Sequence, residues 1–434
     1  MLDRFKDHID IHYPHLRNGT FLLACSGGLD SVALAHLCAA CNMDFVLAHC
    51  NFQLRGVASD EDENFVRDLA TTLDKKIFVT HFPTMEYVVR HKLTVQIAAR
   101  DLRYAWFTEL MGEHGIKTLV TAHHADDSLE TFLINLSRGT GIEGLVGIPS
   151  KTDTLARPFL IFSRAEILAY AQDKDLTWRE DASNADTKYL RNNIRHNIVP
   201  FLKELHPTFL KNFLRAQEYL ADTAAIAQTH IHRIRQQLFT REGDLEKVRI
   251  SSLLDLEPVK TYLFYFFKDY GFAQWDDIYN LLTAASGKEI HSSTHRLLKD
   301  RKYLILREKT ENDPVVFNIM ENQGVMDIPV PLKLEEVDSL GETSPNILYV
   351  DKETLKYPLL VRKWEKGDYF CPFGMIGKKK VSKFFKDSKL DAFSKESQWL
   401  LCSGDNIVWI IGKRADDRFK VTERTHRILK IILK

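Results

Sequence analysis

Six consecutive residues, Ser26-Gly27-Gly28-Leu29-Asp30-Ser31, have the types and spacing needed to hold a polyphosphate. They follow an apolar run, Phe21 to Cys25, and precede a helix-like segment, Val32 to Leu37. A strand, a glycine turn and a helix start in that order present unpaired backbone N–H groups to an anion. Ser26 and Ser31 add hydroxyl donors. Asp30 is the odd member, because a carboxylate beside phosphates repels them unless Mg²⁺ lies between. A turn that merely caps a helix is the plainer alternative. The string is not the G-x-x-x-x-G-K-[ST] phosphate loop.

A second constellation is Asp126-Asp127-Ser128-Leu129-Glu130-Thr131. Helical spacing brings Glu130 beneath Asp127 and Asp126, and three such carboxylates call for a nearby cation: Mg²⁺, a substrate ammonium, or both. Acids that only answer a helix dipole are the rival reading. His123 and His124 adjoin them but lack the partner ligands of a zinc site. Arg100 and Arg103 share a helical face and suit phosphate or carboxylate; a surface salt bridge to Asp101 or Glu109 is the alternative. Further on, Trp178 to Asn184 and Tyr189 to Arg195 mix arginine, asparagine and aromatics, which suits a phosphate backbone or a splayed base. Lys378, Lys379, Lys380 and Lys383 stand beside Phe384 and Phe385; the lysines are expected to bind RNA and the phenylalanines to pack inside. Cys38 and Cys41 form C-x-x-C on an apolar helix and are expected to be packing residues.

These groups need a scaffold. Strands are expected at 20–25, 44–49, 76–81 and 118–122, and helices at 31–41, 59–73, 95–113 and 126–136. That alternation predicts a parallel sheet covered on both faces, with ligands beyond the carboxyl ends of its strands. The loops after the first, second and fourth strands carry the glycine turn, His49 to Arg55, and Ala122 to Asp127, so all three converge on one crevice. Pro207 opens a long helical stretch to about Leu238 and a mostly helical module to about Arg307. A β-rich module follows from about Asn346.

A chain of 434 residues suggests two or three domains. No apolar run approaches a membrane span or a signal core, and six unevenly spread cysteines give no disulfide framework, so a cytoplasmic protein is expected. Formal net charge is +0, yet it is unevenly distributed. From Asp351 to Lys434 there are 20 Lys and Arg against 11 Asp and Glu, net +9; this leaves 39 against 48, net −9, in the first 350 residues. A basic C-terminal module on an acidic body fits a polyanion partner, with an ordinary solvated basic face as the alternative.

SGG-x-DS resembles the PP loop of the N-type ATP pyrophosphatases. With the strings HCNFQLR, AARDLRY, TAHHADDSLETFLINLSRGTGIEGLVGI and RPFLIFSR, the block Trp178 to Pro200, and the C-terminal runs Gly374 to Asp387 and Gly412 to Phe419, nearly the whole chain resembles the tRNA(Ile)-lysidine synthetases. The stretch 240–345 contributes no motif.

The resemblance implies an α/β fold: a parallel-sheet PP-loop ATPase domain at 1–205, a helical connector and middle domain at 206–310, and a small β-rich or α+β tRNA-binding domain at 346–434. It implies a ligase that adenylates the C2 carbonyl oxygen of the wobble cytidine of tRNA(Ile) with a CAU anticodon. Free L-lysine then displaces AMP. ATP and Mg²⁺ are the cofactors. Ser26, Gly27, Gly28, Leu29, Asp30, Ser31, His49 and Arg100 are the expected ATP contacts, with Mg²⁺ on Asp30. Asp127 and Glu130 are expected to grip the lysine ammonium and take its proton. Arg191 or Arg195 is expected against the tRNA or the adenylate, with Lys378, Lys379, Lys380 and Lys383 on tRNA. No membrane is involved; the oligomeric state is left open by the sequence, with a homodimer as one option. The open alternatives are a thiolase that swaps lysine for sulfur, which requires a low-pKa cysteine, a non-catalytic ATP-sensing RNA-binding protein, and a small-molecule ATP pyrophosphatase.

Overall fold

The computed structural model describes residues 1–180, 190–309, 316–327 and 329–434. It divides into two compact units, Met1–Gln228 and Thr229–Lys434.

The first unit is built on five parallel strands: β1 (Phe21–Ala24), β2 (Phe45–Asn51), β3 (Ile77–His81), β4 (Leu119–Val120) and β5 (Leu155–Ala156), in the order β3-β2-β1-β4-β5. Its helices are α1 (Leu2–His12), α2 (Leu29–Ala40), α3 (Val57–Thr72), α4 (Thr84–His91), α5 (Val95–His114), α6 (Ala125–Ser137), α7 (Ile142–Leu145) and α8 (Arg164–Asp173). Side chains alternate across a strand, and β1 shows the consequence. Phe21 and Leu23 join the cluster that includes Val32, Leu34 and Phe159, whereas Leu22 joins Phe107, Leu110 and Met111 on the opposite face. Both faces are thus apolar, which is why this strand reads as a continuous hydrophobic run. α1 offers Phe5 and Ile9, one turn apart and fully buried; each contributes about 2 kcal/mol of burial.

The four expected strands are present with small shifts at their ends. β5 is the addition, a two-residue pairing too short to leave a pattern. Short α9 (Leu190–Asn193), a π-helical turn at Ile194–Ile198 and α10 (Val199–Glu204) follow. The part of the polar block at 181–189 lies outside the described residues.

The helix α11 (Phe209–Leu238) begins at the expected place, and helices Val259–Phe267 and Trp275–Leu281 follow it. The middle region also holds a five-stranded antiparallel sheet, including Leu245–Arg249, His295–Asp300 and Tyr303–Glu308, that a mostly helical expectation left out. Beyond it lie two further antiparallel sheets of five and four strands. They take in Phe317–Ile319 and Leu332–Val337, ahead of residue 346, because these pair with Leu359–Lys363 and Ile428–Leu433. Leu359, Val361, Leu401 and Ile431 meet in the core between those sheets. Among the described residues no helix is long and apolar enough to cross a membrane.

Candidate active site

The glycine turn connects β1 to α2. Gly27 has φ +85°, and a Cβ there would stand 3.2 Å from Val66 Cγ2 and 3.4 Å from Phe65 Cδ1. Both backbone conformation and space therefore require glycine. Ser31 Oγ is the hub of the turn: it accepts from Ser26 N at 3.2 Å and donates to the Gly28 carbonyl at 3.0 Å. Ser26 Oγ is 3.3 Å from it and is exposed, aligned with the helix start that Gly28 caps. Leu29 is buried and anchors the first turn of α2 in the core.

His49, at the carboxyl end of β2, is buried and donates Nδ1–H to the Cys25 carbonyl at 2.9 Å. Burial pulls its pKa down, so the ring is neutral. It braces the turn from behind. From the other side, Arg179 N–H donates to the Gly27 carbonyl at 2.9 Å, while its guanidinium binds Asp62 and Glu61 at the head of α3. This anchoring of the loop had no sequence signal beyond the polar block itself.

Asp30 lies in the first turn of α2 with one buried oxygen, Oδ1, that has no hydrogen-bond partner. Burial pushes its pKa up, opposed chiefly by His124, whose Nε2 is 3.6 Å from Oδ2. An orphaned carboxylate oxygen beside an anion-binding turn fits a bound cation. Among the described residues no three His, Cys, Asp or Glu side chains converge on a metal, so a cation there takes its remaining ligands from phosphate and water, the habit of Mg²⁺.

The acidic group heads α6, and its members have different partners. His124 caps the helix: its Nδ1 accepts from Asp127 N at 3.4 Å, and Asp127 Oδ2 accepts from His124 N at 3.1 Å. His124 Nε2 lies 3.5 Å from Asp127 Oδ2 and 3.6 Å from Asp30 Oδ2, between the two carboxylates. Asp126 turns away. It accepts from the Arg164 backbone N–H at 2.8 Å and pairs with Lys203, and these partners outweigh burial and lower its pKa. It stitches α6 to α8. Glu130 is 1% exposed and is gripped by Arg195 Nε at 2.6 Å and Arg191 Nε at 2.9 Å. Arg195 Nη2 also reaches Asp127 Oδ1 at 3.1 Å. Burial would raise the Asp127 pKa, but His124, His123 and Arg191 bring it below the usual range.

The expected cluster of three mutually repelling acids is therefore corrected to a pair, Asp127 and Glu130, plus a structural Asp126. The balancing cations belong to the chain itself: Arg191, Arg195 and Lys203. Sequence spacing within α6 revealed the acids, but the basic partners lie some 60 to 80 positions away.

His123 donates to or accepts from Thr121 Oγ1 at 2.9 Å, and burial lowers its pKa to about 4. Arg100 stacks on Tyr104 at 4.9 Å and Arg103 on Phe52 at 5.1 Å; neither makes an ion pair among the described residues. Both arginines are exposed, and among the described residues neither pairs with the expected alternative partners Asp101 and Glu109. The cysteines near the turn are all poor nucleophiles: burial raises Cys25, Cys38 and Cys41, and pushes Cys50 up to about 12. Cys38 is a packing residue, as expected.

In the second unit Lys379 pairs with Asp387 at 2.8 Å and Lys378 lies over Tyr369 at 4.4 Å, while Lys380 and Lys383 are exposed. Phe385 is fully buried, and Phe384 is half-buried against Phe370 at 5.4 Å.

The sequence matches a family described as the PP-loop domain over residues 1–202, the TilS substrate binding domain over 241–309 and the TilS substrate C-terminal domain over 359–432. Similar curated proteins include the tRNA(Ile)-lysidine synthases of Parabacteroides distasonis, 38% identical over 94% of each chain, and Bacteroides thetaiotaomicron, 36% identical over 97% of each. That of Porphyromonas gingivalis is 38% identical over 93% of this chain and 91% of its own.

Proposed function

We propose a division of labour for a chain that belongs to the tRNA(Ile)-lysidine synthase family and forms lysidine on tRNA(Ile) with ATP. The PP-loop domain uses the ATP. The observation that carries the finer reading is a buried carboxylate pair, Asp127 and Glu130, already closed on cationic groups and joined to Asp30 through His124.

In the first half-reaction, the cytosine O2 attacks the α-phosphorus of ATP and pyrophosphate departs. Ser26, Gly27 and Gly28 line the phosphates with N–H and O–H donors aimed at developing negative charge, and Ser31 adds its backbone N–H while its hydroxyl holds the turn. Leu29 and His49 hold the turn in shape rather than touching phosphate, and Arg100 supplies a free guanidinium. Asp30 Oδ1 would hold Mg²⁺, which when bound would neutralise phosphate charge.

In the second half-reaction, the lysine side-chain nitrogen attacks C2, the C2–O bond breaks and AMP leaves. The amine has an ordinary pKa of about 10.4 and must shed a proton first. Asp127 and Glu130 receive the ammonium in place of the arginines and take that proton. Asp127, whose pKa His124 and His123 help to hold below the usual range, is charged and grips the ammonium. Arg191 and Arg195, once displaced, face the adenylate or the tRNA. Lys378, Lys379, Lys380 and Lys383 hold the tRNA backbone. The domain assignment 1–205 and 206–310 belongs to this reading, with the C-terminal domain, expected at 346–434, extended back to the strand Phe317–Ile319 that pairs with it. So does the cytoplasm, and sedimentation velocity decides between monomer and homodimer.

No cysteine near the turn has the depressed pKa a sulfur-transfer reading needs, so lysine is retained as the nucleophile. The test is ATP-dependent incorporation of labelled lysine into a CAU-anticodon isoleucine tRNA transcript, with AMP scored beside it. Stoichiometric label supports the reading. AMP without label means another nucleophile, and neither product overturns it.

A further inference from the structure

The most exposed apolar group in the basic module is a short crest between strands Tyr369–Phe370 and Lys379–Lys380. Ile376 is fully exposed, and Phe373 and Met375 are 49% and 54% exposed. Such residues in a row, offered to water, are unfavourable unless something covers them. The crest is also firmly built. Phe373 N–H donates to the Ala415 carbonyl at 2.9 Å, Gly374 N–H to Asp417 Oδ1 at 3.0 Å, and Met375 N–H to the Pro372 carbonyl at 2.9 Å. Cys371 N–H donates to Asp416 Oδ2 at 2.8 Å; Asp416 is 1% exposed and also binds Arg418. Arg414 Nη2 donates to the Phe373 carbonyl at 2.6 Å, which holds a cation at the foot of the crest. Lys378 lies on Tyr369 at its other end.

Exposed apolar side chains on a hydrogen-bonded turn, flanked by cations, match one kind of surface well. A nucleic-acid base that is unstacked, or the open face of a terminal base pair, is apolar on its face and has phosphates a few ångströms away. We propose that Phe373, Met375 and Ile376 form a stacking crest that caps an exposed base of the tRNA, with Lys378 and Arg414 on the adjoining phosphates. This rests on the tRNA-dependent reading above and adds a contact that is not electrostatic. A lysine-only interface would grip any polyanion and weaken steeply with salt; a stacking crest adds affinity that salt leaves in place.

The variant to make is Phe373→Ser, Met375→Ser and Ile376→Ser together in the full chain. All three side chains are exposed, so an unchanged thermal midpoint and unchanged ATP binding show that the fold is kept. If the crest caps a base, affinity for the isoleucine tRNA transcript drops about tenfold or more, at low and at high salt alike, with the slope of log K against log salt unchanged. Chemical probing of the wild-type complex should show one base reactivity that changes on binding and reverts in the variant. Wild-type affinity in the folded variant overturns the proposal, as does a loss confined to low salt. Selective loss of binding to phosphatidylglycerol–phosphatidylcholine vesicles, with tRNA affinity intact, also overturns it and makes the crest a lipid contact. Wild-type protein that incorporates no lysine would instead sink the functional reading, so the two failures are separable.

Discussion

Asp126 and Asp127 are adjacent in the chain and differ completely in what faces them. Asp126 is spent on a backbone N–H of α8 and on Lys203, so its replacement should show up in stability. Asp126→Ala removes the acceptor of the Arg164 N–H and leaves Lys203 unpaired at a half-buried position, a loss expected at about 2 kcal/mol in urea unfolding. Asp127→Asn keeps the shape of the side chain and removes the charge that Arg195 meets. It should abolish lysine incorporation while AMP formation with tRNA persists. If Asp127→Asn retained normal lysine incorporation, the assignment of the ammonium site would be lost. His123 gives a pH signature. Folded, its pKa is about 4; in the unfolded chain it returns to about 6.5. Above pH 6.5 both states are neutral there and the contribution is complete. Between 6.5 and 4 only the unfolded chain takes the proton, so stability falls with pH, by about 3 kcal/mol across the window. Denaturant titrations at pH 7.5 and 4.5 should show a smaller fall in His123→Asn than in wild type; parallel falls would mean another group is responsible.

At the scale of elements, what was legible depended on how local the cause was. The glycine turn, the strand before it and the helix after it lie within 20 residues, and all three are where the sequence places them. Gly27 follows the same logic: Gly27→Ala forces a left-handed backbone position and a 3.2 Å contact with Val66, so ATP binding should fall at least tenfold, measured by calorimetry. The converse holds where the cause is distant. β5 is two residues long and its ladder partner is β4, with Leu155 beside Leu119 from far earlier in the chain. The middle sheet depends on pairings such as Leu304 with Val248, more than 50 residues apart, and its strands alternate with helices that dominate the local pattern. Arg195 illustrates the same limit within the site. As a residue it read as a nucleic-acid contact, and only the folding of the segment after 190 onto α6 shows that it closes on Glu130. The acids were visible because they share one helix; their counter-ions were not, because they come from elsewhere in the chain.

For the whole molecule, charge separates two tasks by position along the chain. The chemistry is assigned to an acidic first part that carries the phosphate turn, and the polyanion contact to a basic last part. If that separation is functional, damage to one should leave the other readable. Asp30→Ala should end AMP formation, because the orphaned oxygen suited to a cation is gone, yet it removes no tRNA contact and should leave tRNA affinity within about twofold. Replacing Lys378, Lys379, Lys380 and Lys383 with Ala should do the reverse. Each phosphate contact contributes a slope of about 0.7 to 0.9 in log K against log salt. Lys379 is already paired with Asp387, so the slope should flatten by nearer three contacts than four. ATP affinity should be unchanged, and saturating tRNA at low salt should restore much of the lysine incorporation. Filter binding across a salt series on both variants checks this directly. An equal loss of tRNA affinity in the two would mean that the phosphate turn and the basic module hold the tRNA as one surface, and the separation of tasks would have to be abandoned.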